Sequence, residues 1–459
     1  MREGLQKIVS SDETIVAIST PAGRAAIGVI RISGAAALEI AEALFQAASP
    51  SGGRRRVRLG HWCEKDGNRL DQVIVTAGAG PHTYTGENLV EISAHGNPVV
   101  LRSIVQSITN AGARLATPGE FTLRAVLNGK MDLIQAEAVR DFVEAQTEHQ
   151  ARVALRQMRG AGAKRLTPLK DKLVDLIAHL EAGIDFAEDD VDVPANALVA
   201  SRIDLVTRAL IEIQSSFGYG RILTKGAKLA LVGKPNVGKS SLFNRLLASN
   251  RSIVTDVPGT TRDVIAEVVD LDGIPIRLMD TAGWRDSADE VERIGVDRSR
   301  ETLADADLVL VVLDGARPLD SEDDQVLDQA AAVPHVVVVN KSDLPRALEL
   351  TRNGGRTISV SARTGSGLEE LRYAIRDLLL DRSPEVTEDF VLTTSRQSEA
   401  VACSVEALKN ASLAVATGVP HEMVLLDLYE GLAALNELTG DVATDDILGR
   451  IFSTFCIGK

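Results

Sequence analysis

The chain has 459 residues, 45% of them hydrophobic, and a formal net charge of −14 at pH 7, which is room for roughly three domains of about 150 residues, each with its own core. That charge argues against a protein that coats nucleic acid by bulk positive charge, although it leaves room for a local basic surface. No apolar stretch approaches the about 20 residues of a membrane helix, the start MREGLQKIVSSDETIVAIST lacks a signal-peptide core, and Cys63, Cys403 and Cys456 form neither a disulfide framework nor a paired metal spacing; a cytoplasmic, reducing address is expected.

Residues 1–118 hold the short β-like runs TIVAIS, IGVIRIS, QVIVTA and NLVEIS, with one helical stretch near 35–46 and Gly, Pro and Asn clusters between, which predicts an α+β domain. Within it RRRVR at 54–58 follows the turn-like SPSGG and reads either as a solvated loop or as a phosphate contact. From 119 to 221 the texture is helical: Leu169, Leu173, Leu176, Ile177 and Leu180 recur at helical spacing, as do Ile203, Val206, Leu210 and Ile213. Over 222–378, KLALVG, IRLMD, DLVLVVLD, HVVVVN and TISVSA alternate with helix-length segments, the pattern of a parallel sheet covered on both faces. Helical texture returns over 379–459, with Leu425, Leu428, Leu432, Leu435 and Leu438 on one stripe. An α/β domain inserted into a helical domain is the economical reading.

GKPNVGKSS, starting at Gly233 directly after an apolar strand, fits the phosphate-loop pattern G-x-x-x-x-G-K-S. The backbone from Asn236 through Val237 and Gly238 to Ser241 can close around phosphate oxygens, Lys239 can reach the β- and γ-phosphates, and Ser240 can ligate Mg²⁺. NKSD places Asn340, Lys341, Ser342 and Asp343 after a buried strand, where the Asp343 carboxylate can accept from N1–H and the exocyclic amine of guanine, a donor pair adenine lacks. Ser361, Ala362 and Arg363 can close over the base. TDVPGTTRD carries Thr255, Asp256, Val257, Pro258, Gly259, Thr260 and Thr261, the last a second Mg²⁺ ligand, and DTAG carries Asp280, Thr281, Ala282 and Gly283, the last a γ-phosphate donor. Singly such motifs are ordinary turns and caps; in this order they specify a P-loop GTPase domain of the Ras-like kind.

After DTAG comes Trp284, where many such enzymes hold a water-orienting glutamine. Asp286, Asp289, Glu290 and Glu292 are alternative water-orienting groups, Arg262 and Arg285 alternative charge donors, and a monovalent cation held by the Asn236 amide with carbonyls of TDVPGT is a further option. The residues alone leave this choice open.

Taken together, TIVAISTPAGRAAIGVIRISG near the start, PGEFTLRAVLNGKMDLIQAEAV at 118–139, the GTPase motifs, DEVERIG and the ending ILGRIFSTFCIGK resemble the MnmE (TrmE) family, potassium-activated GTPases of tRNA wobble-uridine modification. The resemblance implies K⁺ held by Asn236, Thr255, Val257 and Thr260 in place of an arginine finger when two GTPase domains pair, with Glu292 orienting the water through a second water. It implies a reduced folate, 5,10-methylenetetrahydrofolate, in an N-terminal folate-binding and dimerisation domain, contacted by Arg31, Glu91, Lys130 and the terminal Lys459. Read alone, Arg31 and Glu91 are single charges in apolar strands, facing either solvent or a ligand. Cys456 near the C-terminus reads as an inert thiol, a poor prenylation signal, or a nucleophile beside the folate.

The family also implies a homodimer that forms a heterotetramer with the FAD-binding protein MnmG (GidA). The product would be a 5-aminomethyl or 5-carboxymethylaminomethyl wobble uridine, with FAD supplied by the partner. The main competing reading is a ribosome-assembly GTPase acting as an RNA-binding switch, against which stand the about 220 residues before the phosphate loop and the lack of a GxxG after residue 378; a folate-dependent one-carbon transferase without tRNA would leave the GTPase site unexplained.

Overall fold

The computed structural model describes residues 13–48, 57–185, 195–248, 268–279, 305–349, 355–380, 390–442 and 444–459, in two compact units. One runs to Arg140 and takes up Ala433–Lys459; the other spans Asp141–Leu432.

The first unit is built on a seven-stranded sheet of β1 (Ile15–Ile18), β2 (Ile27–Ser33), β3 (Phe45–Ala47), β4 (Val57–Cys63), β5 (Arg69–Gly78), β6 (Leu89–His95) and β7 (Arg114–Leu115), in the order β3-β4-β5-β6-β2-β1-β7. Every neighbouring pair is antiparallel except β1 and β7. Strict alternation turns Ile30 and Ile32, Val73 and Val75, and Val90 and Ile92 to one face, where the helices Ala37–Leu44 and Pro98–Asn110 cover them and Trp62 fills the core. The second helix begins where Asn97 accepts from the Val99 amide ahead of Pro98, a side-chain cap with proline in the first turn. A smaller core joins Leu123 of helix Glu120–Leu127 with Leu133 and Ala136, and with Leu448, Ile451, Phe452 and Phe455 from the C-terminus.

Strand β4 lies beyond the sequence expectation, because its first residues belong to the basic run. Arg58 is neither in a solvated loop nor free for phosphate: its guanidinium lies 4.9 Å from the centroid of the Phe45 ring and forms an ion pair with Glu42. Residues 54–56 lie outside the described residues.

The second unit carries a six-stranded sheet of β8 (Ala227–Val232), β9 (Val268–Leu271), β10 (Ile274–Met279), β11 (Leu308–Asp314), β12 (His335–Asn340) and β13 (Arg356–Ser359), ordered β13-β12-β11-β8-β10-β9. It is parallel from β13 through β10, with cores on both faces, as continuous apolar strands require. The expected parallel sheet carries one antiparallel edge: β9 returns as a hairpin onto β10, and its four residues, VVDL, are too few for a periodic signal.

The helical part comprises Glu148–Met158, Ala161–Asp185, Asn196–Ser215, Phe217–Lys225, Ser395–Ala416 and most of His421–Thr439. The two leucine- and isoleucine-rich stripes expected from the sequence are buried in Ala161–Asp185 and Asn196–Ser215. Helix Glu148–Met158 starts at a Thr147–Gln150 capping box, and the Thr147 hydroxyl also donates to the Gly273 carbonyl at 2.8 Å in the β9–β10 turn. No described helix is long and apolar enough to cross a membrane.

Candidate functional site

The phosphate loop connects β8 to helix Lys239–Ala248, at the carboxyl end of a central parallel strand where such sheets bind ligands. Two glycines make its path feasible. Gly233 has φ +147°, and a Cβ there would stand 2.3 Å from the Val312 carbonyl; Gly238 has φ +99°, with a Cβ 2.2 Å from Asn340 Nδ2. Asn236 is exposed at a left-handed φ of +63°. Lys239 Nζ donates to the Gly233 and Lys234 carbonyls at 2.6 and 2.8 Å, so its charge already lies inside the loop where a phosphate chain would enter. Ser240 and Ser241 are exposed at the start of that helix. Lys234 is clamped from outside, 2.8 Å from Asp323 Oδ2 and bonded to Asp320, and the Asp320 bond, followed by Asp323, raises its pKa.

Three segments far apart in sequence meet through Asn340. Its Nδ2 donates to the Val237 carbonyl at 2.8 Å and its Oδ1 accepts from the Ala362 amide at 3.0 Å, tying the phosphate loop to Ser361–Arg363. Beside it, Asp343 Oδ1 accepts from the Ser361 hydroxyl at 2.6 Å. That bond, helped by Arg363 and Lys341, holds the exposed Asp343 carboxyl below its usual range, ionised and acceptor-only at neutral pH. Ser342 donates its amide to the Val360 carbonyl at 3.0 Å. Lys341 sits at φ +66° with Nζ 2.6 Å from Asp314 Oδ2. Burial pushes the Asp314 carboxyl up, but the Lys341 bond and the Ala316 amide outweigh it and leave it lowered. Asp314, at the end of β11, is a residue that the motifs did not single out; its only sequence signal is an acid closing an otherwise apolar strand.

Of the expected nucleotide and ion contacts, Thr255 through Thr261, Asp280 through Gly283 and Glu292 lie outside the described residues, as do Arg262, Trp284, Arg285 and the other switch carboxylates. Among the described residues no cluster of three or more His, Cys, Asp or Glu side chains could hold a metal ion.

A second constellation lies in the first unit. Arg31 of β2 faces Glu91 of β6 in register, and the two form an ion pair at 2.8 Å on the sheet face opposite Ile30 and Ile32. The Arg31 guanidinium also lies 5.7 and 5.9 Å from the ring centroids of Tyr84 and Phe121, and donates to the Gly458 carbonyl at 3.3 Å. Gly458 itself, at φ +95°, packs where a Cβ would meet the Ile18 carbonyl at 2.5 Å, so the C-terminal tail is seated against β1. Burial lowers the pKa of Lys459, opposed by Cys456 and reinforced by Arg31. Arg31, Glu91, Lys459 and Cys456 thus gather at one place. Lys130 reaches the loop carrying Tyr84, donating to the Pro81 carbonyl at 2.9 Å. Tyr84 and Phe121 were missed from sequence, where each is one aromatic among polar turn or helix neighbours.

Two family models match the chain: the GTP-binding protein TrmE N-terminus over residues 14–130 and the MnmE helical domain over residues 133–456. The tRNA modification GTPase MnmE of Koribacter versatilis is 49% identical over 454 residues, covering 98% of this chain and 99% of that protein. Those of Symbiobacterium thermophilum and Aquifex aeolicus are 43% and 41% identical, covering 98% and 97% of this chain and 100% of each relative. Among solved structures, the G domain of the T. maritima FeoB iron transporter is 27% identical, covering 34% of this chain and 98% of that one at a TM-score of 0.25.

Proposed function

The chain belongs to the MnmE family, whose members are named tRNA modification GTPases, and on that premise we propose that it hydrolyses GTP to GDP and phosphate with K⁺ in the role of an arginine finger. It is a GTP hydrolase taking part in tRNA modification. The observation that supports the reading is the Asn340 bridge, which ties the Lys239-bearing phosphate loop to the Ser361–Arg363 loop beside Asp343.

Transfer of a phosphoryl group to water needs the nucleophile in line and the developing charge neutralised. Bound K⁺ and Mg²⁺ would supply positive charge beside the phosphates. For this chain's own residues, Lys239 exchanges its two carbonyl partners for phosphate oxygens and Asp343 selects guanine. Asn236, in its exposed left-handed position, offers an amide oxygen to K⁺ alongside Thr255, Val257 and Thr260, while Ser240 and Thr261 offer hydroxyls to Mg²⁺. Glu292 orients the water. Hydrolysis is expected to be at least tenfold faster in KCl than in NaCl of equal strength, with the advantage lost in Asn236→Ala; equal rates in both salts would remove K⁺ and return Arg262 and Arg285 to candidacy.

In the modification step a reduced folate, the one-carbon donor, would be held at the Arg31–Glu91 pair. The part-exposed Tyr84 ring would offer a flat heteroaromatic ring a stacking surface, and the opposite charges would suit its polar edge and acidic tail. The full reaction, an aminomethyl or carboxymethylaminomethyl group on C5 of the wobble uridine, would draw on FAD carried by MnmG, in a heterotetramer built on a homodimer of this cytoplasmic chain. Arg31→Ala is expected to weaken calorimetric binding of a stable reduced folate by at least tenfold, from loss of one charge-assisted contact. Unchanged affinity would move the folate elsewhere.

A further inference from the structure

In a chain of net charge −14, residues 148–172 hold seven Lys and Arg against two Asp and Glu. Helix Glu148–Met158 turns Gln150, Val153 and Gln157 inward: Val153 packs with Tyr219, Leu223 and Val391, and Gln157 Nε2 donates to the Val391 carbonyl at 2.9 Å. On the opposite side Arg152, Arg156 and Arg159 recur at i, i+4 and i+7 and are all exposed, which places them on one stripe of about 10 Å. The chain turns at Gly160 and goes on with Lys164, Arg165 and Lys172, also exposed.

Structural roles account for part of this charge. Cations at a helix C-terminus gain about 0.3–1 kcal/mol from the helix dipole, which covers Arg156 and Arg159. Glu148 pairs with Arg152 and Glu212 with Arg165, all four at least 47% exposed, and such pairs are weak. Neither account covers the exposed Lys164 and Lys172.

We propose that this face docks the phosphate backbone of RNA, namely the tRNA of the proposed function, on which the inference rests. Guanidinium forks match phosphate geometry and charge, and the stripe is a local positive surface on a chain of net negative charge. The same helix is bonded through Thr147 to the turn joining β9 and β10, and β10 ends at Met279, directly before DTAG. RNA on its outer face would touch an element that also touches the nucleotide domain.

The test is fluorescence anisotropy of labelled tRNA with the full chain across a salt series, comparing wild type with Arg152→Gln/Arg156→Gln/Arg159→Gln and with the matching triple Lys variant. The Gln variant is expected to bind at least tenfold more weakly, with a log K against log salt slope shallower by about two, at unchanged GTP hydrolysis; the Lys variant should stay within about threefold of wild type. Equal affinity and slope in the Gln variant would overturn the inference alone. Wild type that hydrolyses GTP yet binds no tRNA would overturn the RNA-docking inference and the direct RNA contact assumed for the function. Loss of binding to poly-glutamate with tRNA binding intact would overturn RNA in favour of an acidic protein partner.

Discussion

Asp343→Asn is expected to weaken GTP binding by about 10²–10⁴-fold while improving binding of xanthosine triphosphate, as read by equilibrium titration with fluorescent nucleotide analogues. An ionised carboxylate has only acceptors to offer, and guanine presents two donors along one edge. The Asn replacement puts an NH₂ group against the guanine amine, so one charge-assisted pair is lost and donor faces donor. Xanthine carries an oxygen where guanine carries the amine, so it restores the match. The carboxylate is held for this task by the Ser361 hydroxyl at 2.6 Å, in a loop that Asn340 and the Asp314–Lys341 pair pin in place. Ser361→Ala should therefore weaken both GTP and GDP modestly without changing the preferred base. An unchanged base preference in Asp343→Asn would mean that the base is read by other groups.

The described motif residues announced this site because they follow the strands β8, β12 and β13, and β8 and β12 are apolar runs that stand out without any partner. Asn340 was legible as part of NKSD but not as a tie between two loops, since its partners lie 103 and 22 residues away. The same limit explains Arg31 and Glu91. Alternation along a strand tells which face a side chain takes; only the register between β2 and β6 says that the two charges are opposite each other, and register is a non-local property. Arg58 misled for a related reason: after the turn-like SPSGG it read as part of a loop, whereas it lies in β4, and the Phe45 ring that accepts its charge comes from another strand. Short β9 carried too few residues to be seen at all.

Least legible was the buried charge within PGEFTLRAVLNGK. Glu120 and Arg124 each have a side chain only 1% exposed and lie one helical turn apart, paired at 3.0 Å. Glu120 also accepts from Arg114 at 2.6 and 2.8 Å and from the Thr117 amide at 2.9 Å, and Arg124 pairs with Glu87 at 3.0 Å. An i, i+4 Glu–Arg pair in sequence ordinarily marks a solvent face. Here it forms the centre of the first unit, next to the loop that presents Tyr84. Glu120→Ala removes an acceptor shared by two guanidinium groups and leaves the buried Arg124, whose Nε already lacks a partner, with one fewer. The expected loss is about 3–5 kcal/mol, measured by urea unfolding at pH 7 in a Trp284→Phe background. Of the chain's two tryptophans only Trp62, buried in this unit, then reports. Burial pushes the Glu120 carboxyl up, but the Arg114 bond, the Thr117 amide and the Arg124 charge together outweigh it and leave its folded pKa below the ordinary 4.5. The unfolded chain therefore takes up the proton first, so this contribution is complete above about pH 4.5 and fades as pH falls through the lower folded value. The gap between wild type and Glu120→Ala should narrow only below pH 4.5. A gap of under about 1 kcal/mol at pH 7, or one that already narrows between pH 7 and pH 5, would show that the network contributes far less than its burial implies.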